Sequence, residues 1–232
     1  MTRKKIVFVI VEGPSDDEAL GILLEKLFEN NKVFVHITHG DITSEPGIDP
    51  AKILAKVGEM VKWYAKSNHL TSLHFQRIIH IVDMDGAYIP DQSIVEDISA
   101  EKPIYSLTEI RTANVNGIKQ RNDTKRLCLN RLSIASESWG IPYQVYYMSC
   151  SLDHVLYNKQ NSSNEEKEHD AIQFVKKYRN DLDGFIAYIS KSCFSVQSNY
   201  IDSWNYIKQN LHSLERHTNL GLCFDETITI NP

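Results

Sequence analysis

Two short apolar runs, each ending abruptly in acid, constrain this chain more than anything else in it. Ile6-Val7-Phe8-Val9-Ile10-Val11 runs into Glu12-Gly13, and Ile78-Ile79-His80-Ile81-Val82 runs into Asp83-Met84-Asp85-Gly86. A β-branched run without polar alternation is a strand covered on both faces, which is the condition of a parallel sheet with helices on either side. After the first run, Ala19, Leu20, Leu23, Leu24 and Leu27 recur at helical spacing, with Ser15 or Asp16 placed to cap that helix. Val33 to Ile37 then reads as a second strand. Pro50 opens a helix whose apolar face is Ile53, Leu54, Val57, Met60, Val61 and Tyr64. Strand, helix, strand, helix, strand predicts an α/β protein with a mostly parallel, doubly wound sheet flanked by helices.

The rest of the chain is less regular. Residues 103–115 alternate like a hairpin or edge element, and residues 123–136 are expected to be helical, with Leu127, Leu129, Leu132 and Ile134 available for packing. Residues 142–148, rich in Tyr and Val, read as a last core strand. Residues 159–170 hold no apolar side chain and are expected to form a polar flexible loop. Beyond them, residues 172–178, 185–189 and 200–211 show helical periodicity. The expected organisation is therefore an α/β domain over residues 1–158, the polar loop over 159–170, and a C-terminal helical subdomain over 171–232.

Composition narrows the class. With 232 residues, 42% hydrophobic and 24% charged, the chain has the makeup of an ordinary globular protein. No apolar run approaches membrane-spanning length, which predicts a cytoplasmic protein with no membrane partner. Cys128, Cys150, Cys193 and Cys223 lack Cys-x-x-Cys spacing, so they are expected to be reduced and mostly structural. A net charge of -5 argues against coating nucleic acid through bulk charge, while leaving room for a local basic groove.

In an open parallel sheet, ligands bind outside the carboxyl ends of the strands. Glu12 stands just past one buried strand, and Asp83 and Asp85 just past another. Carboxylates so gathered repel unless a cation joins them, and their oxygens suit Mg²⁺ or Mn²⁺. Gly13 and Gly86 give the chain freedom to turn beside the acids.

Val9-Ile10-Val11-Glu12-Gly13-Pro14-Ser15-Asp16 resembles the first motif of the Toprim domain, an apolar strand ending in Glu-Gly with an Asp four residues after the Glu. Ile79-His80-Ile81-Val82-Asp83-Met84-Asp85-Gly86 resembles the second, a strand ending in Asp-x-Asp. The domain is shared by topoisomerases, bacterial primases, ribosomal RNA maturation ribonucleases and the overcoming-lysogenisation-defect nucleases with their phage-defence relatives. The resemblance covers about the first half of the chain. It implies a Toprim-like fold in which Glu12 acts as general acid, general base or metal ligand, and in which Asp83 and Asp85 hold a divalent metal. Asp16 would support the turn. Topoisomerases carry a further acid two residues after the Asp-x-Asp, where this chain has Ala87. Tyr146 to His154 resembles the strand-to-helix segment of the small defence-associated members, which adds Asp153 as a supporting acid. The implied activity is a metal-dependent endonuclease acting on DNA or RNA in antiphage defence. The alternative is a non-catalytic or partner-activated module that binds nucleic acid or an ATPase subunit, since the chain has no Gly-x-x-x-x-Gly-Lys-Ser/Thr motif; a homo-oligomer is a further expectation.

Four basic residues, Lys119, Arg121, Lys125 and Arg126, are expected to line a phosphate groove, against the plainer reading of a solvated helix face. Lys119 and Lys125 are the candidates for a cation that stabilises the transition state. The histidines lack ligand spacing, and His80 falls inside a strand, so they read as structural or surface residues. Trp63, Trp139 and Trp204 read as core or interface residues.

Overall fold

A computed structural model of the chain describes residues 4–29 and 31–224. Its centre is a five-stranded sheet built from β1 (Ile6–Val11), β2 (Lys32–Ile37), β3 (Phe75–Asp83), β7 (Glu137–Ser138) and β8 (Ile141–Met148), in the order β2-β1-β3-β8-β7. The first four in that order run parallel, and β7 pairs antiparallel at the edge. The two apolar runs are thus adjacent central strands, aligned so that Ile10 lies opposite His80.

Because strand side chains alternate between faces, each buried strand feeds two cores. Val7, Val9, Val11, Ile79, Ile81, Tyr146 and Met148 pack on one face with α1 (Pro14–Leu27), α5 (Asn164–Tyr178) and α6 (Leu182–Lys191), through Leu20, Leu24, Phe174 and Phe185. Phe8, Ile10, Ile78, Val82, Tyr143 and Tyr147 pack on the other with α2 (Ile53–Ser67), α3 (Val115–Ile134) and α7 (Tyr200–Ile207), through Ile53, Val57, Leu129 and Trp204. Helices on both faces explain why these strands read as continuous apolar runs. Each fully buried Leu, Ile or Phe contributes about 1.5–3 kcal/mol. A small sheet of β4 (Ile94–Glu96), β5 (Ile104–Tyr105) and β6 (Ile110–Thr112), ordered β4-β6-β5, sits beyond β3; its β5–β6 pair is the antiparallel element expected over residues 103–115. No helix among the described residues is long and apolar enough to cross a membrane.

Several expectations are corrected. The helix after β1 is capped by Gly13, with Pro14 in its first turn and the Asp16 carboxylate accepting the Gly13 N–H at 2.9 Å. The helix expected from residue 123 begins at Val115, where the Asn114 side chain accepts the Gly117 N–H; its Leu127 and Ile134 are exposed, while Leu129 and Leu132 are buried. Residues 164–170 are helix, not loop: Ser163 and Glu166 form a reciprocal capping box that starts α5. The later helices pack against the sheet: α5 and α6 share the core of α1, and α7 joins α2 and α3 on the opposite face. Residues 225–232 of the expected subdomain lie outside the described residues. Trp204 is buried, whereas Trp63 is exposed on α2.

Candidate acidic site at the carboxyl edge of the sheet

β1, β2, β3 and β8 all end at one edge, and the site is assembled from the turns and loops that leave them. The Asp83 N–H donates to Glu12 Oε1 at 3.1 Å, so the acid that ends β1 is tied to the strand end beside it. Asp83 Oδ1 in turn accepts the Leu152 N–H at 2.9 Å, at the start of α4 (Leu152–Tyr157). The chain then turns sharply: Asp85 has φ +48° and Gly86 φ +66°, with the Asp85 N–H donating to the Cys150 carbonyl. A side chain at Gly86 would meet Leu214 Cδ2 at 2.6 Å, so the turn needs glycine for space as well as for its left-handed backbone.

Asp85 points to a lysine. Lys125, on α3 and wholly buried, places its Nζ 2.5 Å from Asp85 Oδ2 and 2.9 Å from Asp41 Oδ2. Asp41 lies in the loop after β2, a loop fixed to the site by the Gly40 N–H, which donates to the Glu12 carbonyl at 3.0 Å. The Thr43 N–H and hydroxyl donate to Asp41 Oδ1 at 2.7 and 2.5 Å, and the Ser44 hydroxyl donates to its other oxygen. Burial works to raise the Asp41 carboxyl, but Lys125 and these donors outweigh it and hold the group below the usual carboxylate range.

Glu12 and Asp83 behave oppositely. Burial, then the acids around them, push both well above the ordinary carboxyl value, with Lys125 opposing. Asp16 is raised to about 6 by burial and by Asp153, against the hydrogen bond from Gly13. Asp153, in the first turn of α4, has one oxygen 3.2 Å from Lys167 Nζ; burial raises its carboxyl and Lys167 opposes. Glu12, Asp16, Asp83, Asp85 and Asp153 are therefore neighbours in one field, with an excess of acid over base.

The basic stretch does not form the expected groove. Lys125 is internal and touches no solvent. Arg121 turns inward, donating through Nη2 to the Asp85 carbonyl at 2.8 Å and through Nη1 to the Tyr105 hydroxyl at 2.6 Å. Lys119 and Arg126 remain at the surface, paired with Asp91 and Asp123. The helix reading accounts for this, because α3 presents Arg121 and Lys125, four apart, to one side of the site and Arg126 to another. An apolar cleft of about 530 Å³ lined by Ile78, Tyr143, Tyr200 and Trp204 lies at the opposite end of β3 and β8, away from the acids.

Among the described residues, no three His, Cys, Asp or Glu side chains stand gathered as a ready metal cage. The donor chemistry nonetheless fits a hard cation, since Glu12, Asp83 and Asp85 offer only oxygen and destabilise one another when charged. Each is already engaged: Glu12 accepts the Asp83 N–H, Asp83 accepts the Leu152 N–H, and Asp85 accepts from Lys125. Sequence reading missed Asp41 and Lys167. Asp41 was within reach as a further acid just beyond a parallel strand, whereas Lys167 sat in a segment read as loop. The three cysteines Cys128, Cys150 and Cys223 are buried thiols and Cys193 an exposed one. Comparisons with protein-family models, curated proteins and solved structures find no significant match to this chain.

Proposed function

We propose that this protein is a divalent-metal-dependent nuclease that cleaves phosphodiester bonds of DNA or RNA through a Toprim-like acidic site, with a role in antiphage defence. The observation that carries the reading is the placement of Glu12, Asp83 and Asp85 at the carboxyl ends of two adjacent parallel strands, where Glu12 and Asp83 are raised by burial and by their neighbours. Glu12, Asp83 and Asp85 would hold Mg²⁺ or Mn²⁺. When bound, such an ion supplies positive charge where the entering and leaving oxygens of a phosphodiester become negative. If Asp83 and Asp85 alone hold the ion, Glu12, whose carboxyl burial raises, is instead the residue placed to carry a proton to or from those oxygens. Asp16 fixes the turn after Glu12 through the Gly13 N–H, and Asp153, paired with Lys167, follows Leu152, whose N–H donates to Asp83.

A partner-activated reading has one observation in its favour. Of Lys119, Arg121, Lys125 and Arg126, Lys125 is internal, Arg121 turns inward, and Lys119 and Arg126 are each paired with an acid, so this stretch by itself offers a phosphate chain little. An ATPase or nucleic-acid-binding subunit would then deliver the substrate. Incubating the purified chain with plasmid, single-stranded DNA and tRNA, in Mg²⁺, Mn²⁺ or EDTA, separates the two. Metal-dependent cleavage by the chain alone supports the first reading, and cleavage seen only with a partner supports the second.

A further inference from the structure

Lys125 sits between two carboxylates carried by different loops, and only one of them belongs to the acids that would bind metal. Asp85 Oδ2 is 2.5 Å from its Nζ and Asp41 Oδ2 is 2.9 Å away. We propose that Lys125 is the resident counter-ion of the acidic site and is exchanged for the metal: the divalent cation takes the Asp85 carboxylate, and Asp41 retains the released ammonium. This rests on the metal-site reading above and adds to it a residue pair that controls occupancy.

Three features support the exchange. First, an ammonium and a divalent cation repel at close range, so a metal ion on the Asp85 carboxylate weakens the hold of that carboxylate on Lys125. Second, Asp41 is built to stay where it is, with one oxygen taken by the Thr43 N–H and hydroxyl and the other by Ser44 and Lys125. It offers Lys125 a fixed resting place and has little freedom to become a ligand itself. Third, the Asp85 backbone is pinned by Arg121 Nη2 on its carbonyl and by the Cys150 carbonyl on its N–H, which leaves the carboxylate as the part free to turn from Lys125 to a metal.

The test is a double-mutant cycle on Mn²⁺ affinity, measured by calorimetry on the full chain as wild type, Lys125→Met, Asp41→Asn and the double variant. Lys125→Met should bind Mn²⁺ about tenfold tighter, and Asp41→Asn about tenfold weaker, because the released ammonium loses its resting place. In the Lys125→Met background, the Asp41 substitution should cost less than about threefold, since it acts through the lysine. An equal loss in both backgrounds would reduce Asp41 to a simple nearby charge and overturn the exchange, as would a Lys125→Met protein that binds no tighter. If no form binds Mn²⁺, the metal-site reading falls and the exchange with it; binding indifferent to Lys125 overturns the exchange alone. A measurement on the wild type needs no variant to fold: with ¹⁵N-labelled lysine side chains, Mg²⁺ saturation should move the Lys125 ammonium resonance, and an unmoved resonance contradicts the proposal.

Discussion

Lys125 Nζ lies 2.5 Å from Asp85 Oδ2, with no part of the lysine side chain exposed to solvent. Removing one partner of such a pair leaves the others charged and poorly solvated, so Lys125→Met is expected to destabilise the metal-free protein by about 3 kcal/mol. Urea unfolding in EDTA measures this. A loss under about 0.5 kcal/mol would mean that the pair behaves like an exposed one.

Asp83 should respond in the opposite direction. Burial and the charge of Glu12 hold its carboxyl well above the ordinary value, so the charged form is a liability in the metal-free fold. Asp83→Asn keeps an oxygen for the Leu152 N–H and removes that charge. It is expected to stabilise the metal-free protein by about 1 kcal/mol at pH 8, a gain of the kind seen when a strained functional site is relaxed. Asp83→Ala loses the hydrogen bond as well and should show less of the gain. Thermal unfolding of both variants in EDTA distinguishes them.

Gly86 carries the turn that sets Asp85 in place. With φ at +66° and Leu214 Cδ2 only 2.6 Å from where a Cβ would stand, Gly86→Ala is expected to cost about 1–3 kcal/mol. Because the same turn aims Asp85, Mn²⁺ affinity should fall with it. Unchanged stability and affinity would show that the turn adapts.

His80 gives a pH dependence of known sign. It is buried in β3 beside the Tyr143 hydroxyl, 2.8 Å from Nδ1, and burial pushes its imidazole down to about 3. A folded value below the unfolded one means that its contribution is fully present above the unfolded value near 6.5 and is lost as pH falls toward the folded value. The slope is at most about 1.4 kcal/mol per pH unit. The stability difference between wild type and His80→Gln should therefore shrink as pH drops from 7 to 5. A difference that stays constant over that range contradicts the assignment.

The sheet and the acids beside it were legible in the sequence because their signals are local. A strand buried on both faces writes itself as a continuous apolar run, and the acids come directly after it in the chain, so Glu12, Asp83 and Asp85 fell at the ends of adjacent strands as expected. The basic side of the site was not legible. Whether Lys125 faces solvent or Asp85 depends on how α3 is rotated against the sheet, and that is set by Cys128, Leu129 and Leu132 packing with residues far away in sequence. Asp41 joins the site only because β2 lies next to β1, a tertiary fact. The start of α5 is a different case. Ser163 and Glu166 spell a capping box, but the polar composition around them hid the helix.

The most direct test of the central claim is phosphodiester cleavage by the wild type and by Asp83→Asn, compared on plasmid, single-stranded DNA and tRNA in Mn²⁺ and in EDTA. The wild type should cleave at least one of these in Mn²⁺ and none in EDTA, and Asp83→Asn, folded and at least as stable, should lose about a hundredfold or more in rate. Cleavage by Asp83→Asn at the wild-type rate, or cleavage that persists in EDTA, would contradict the claim.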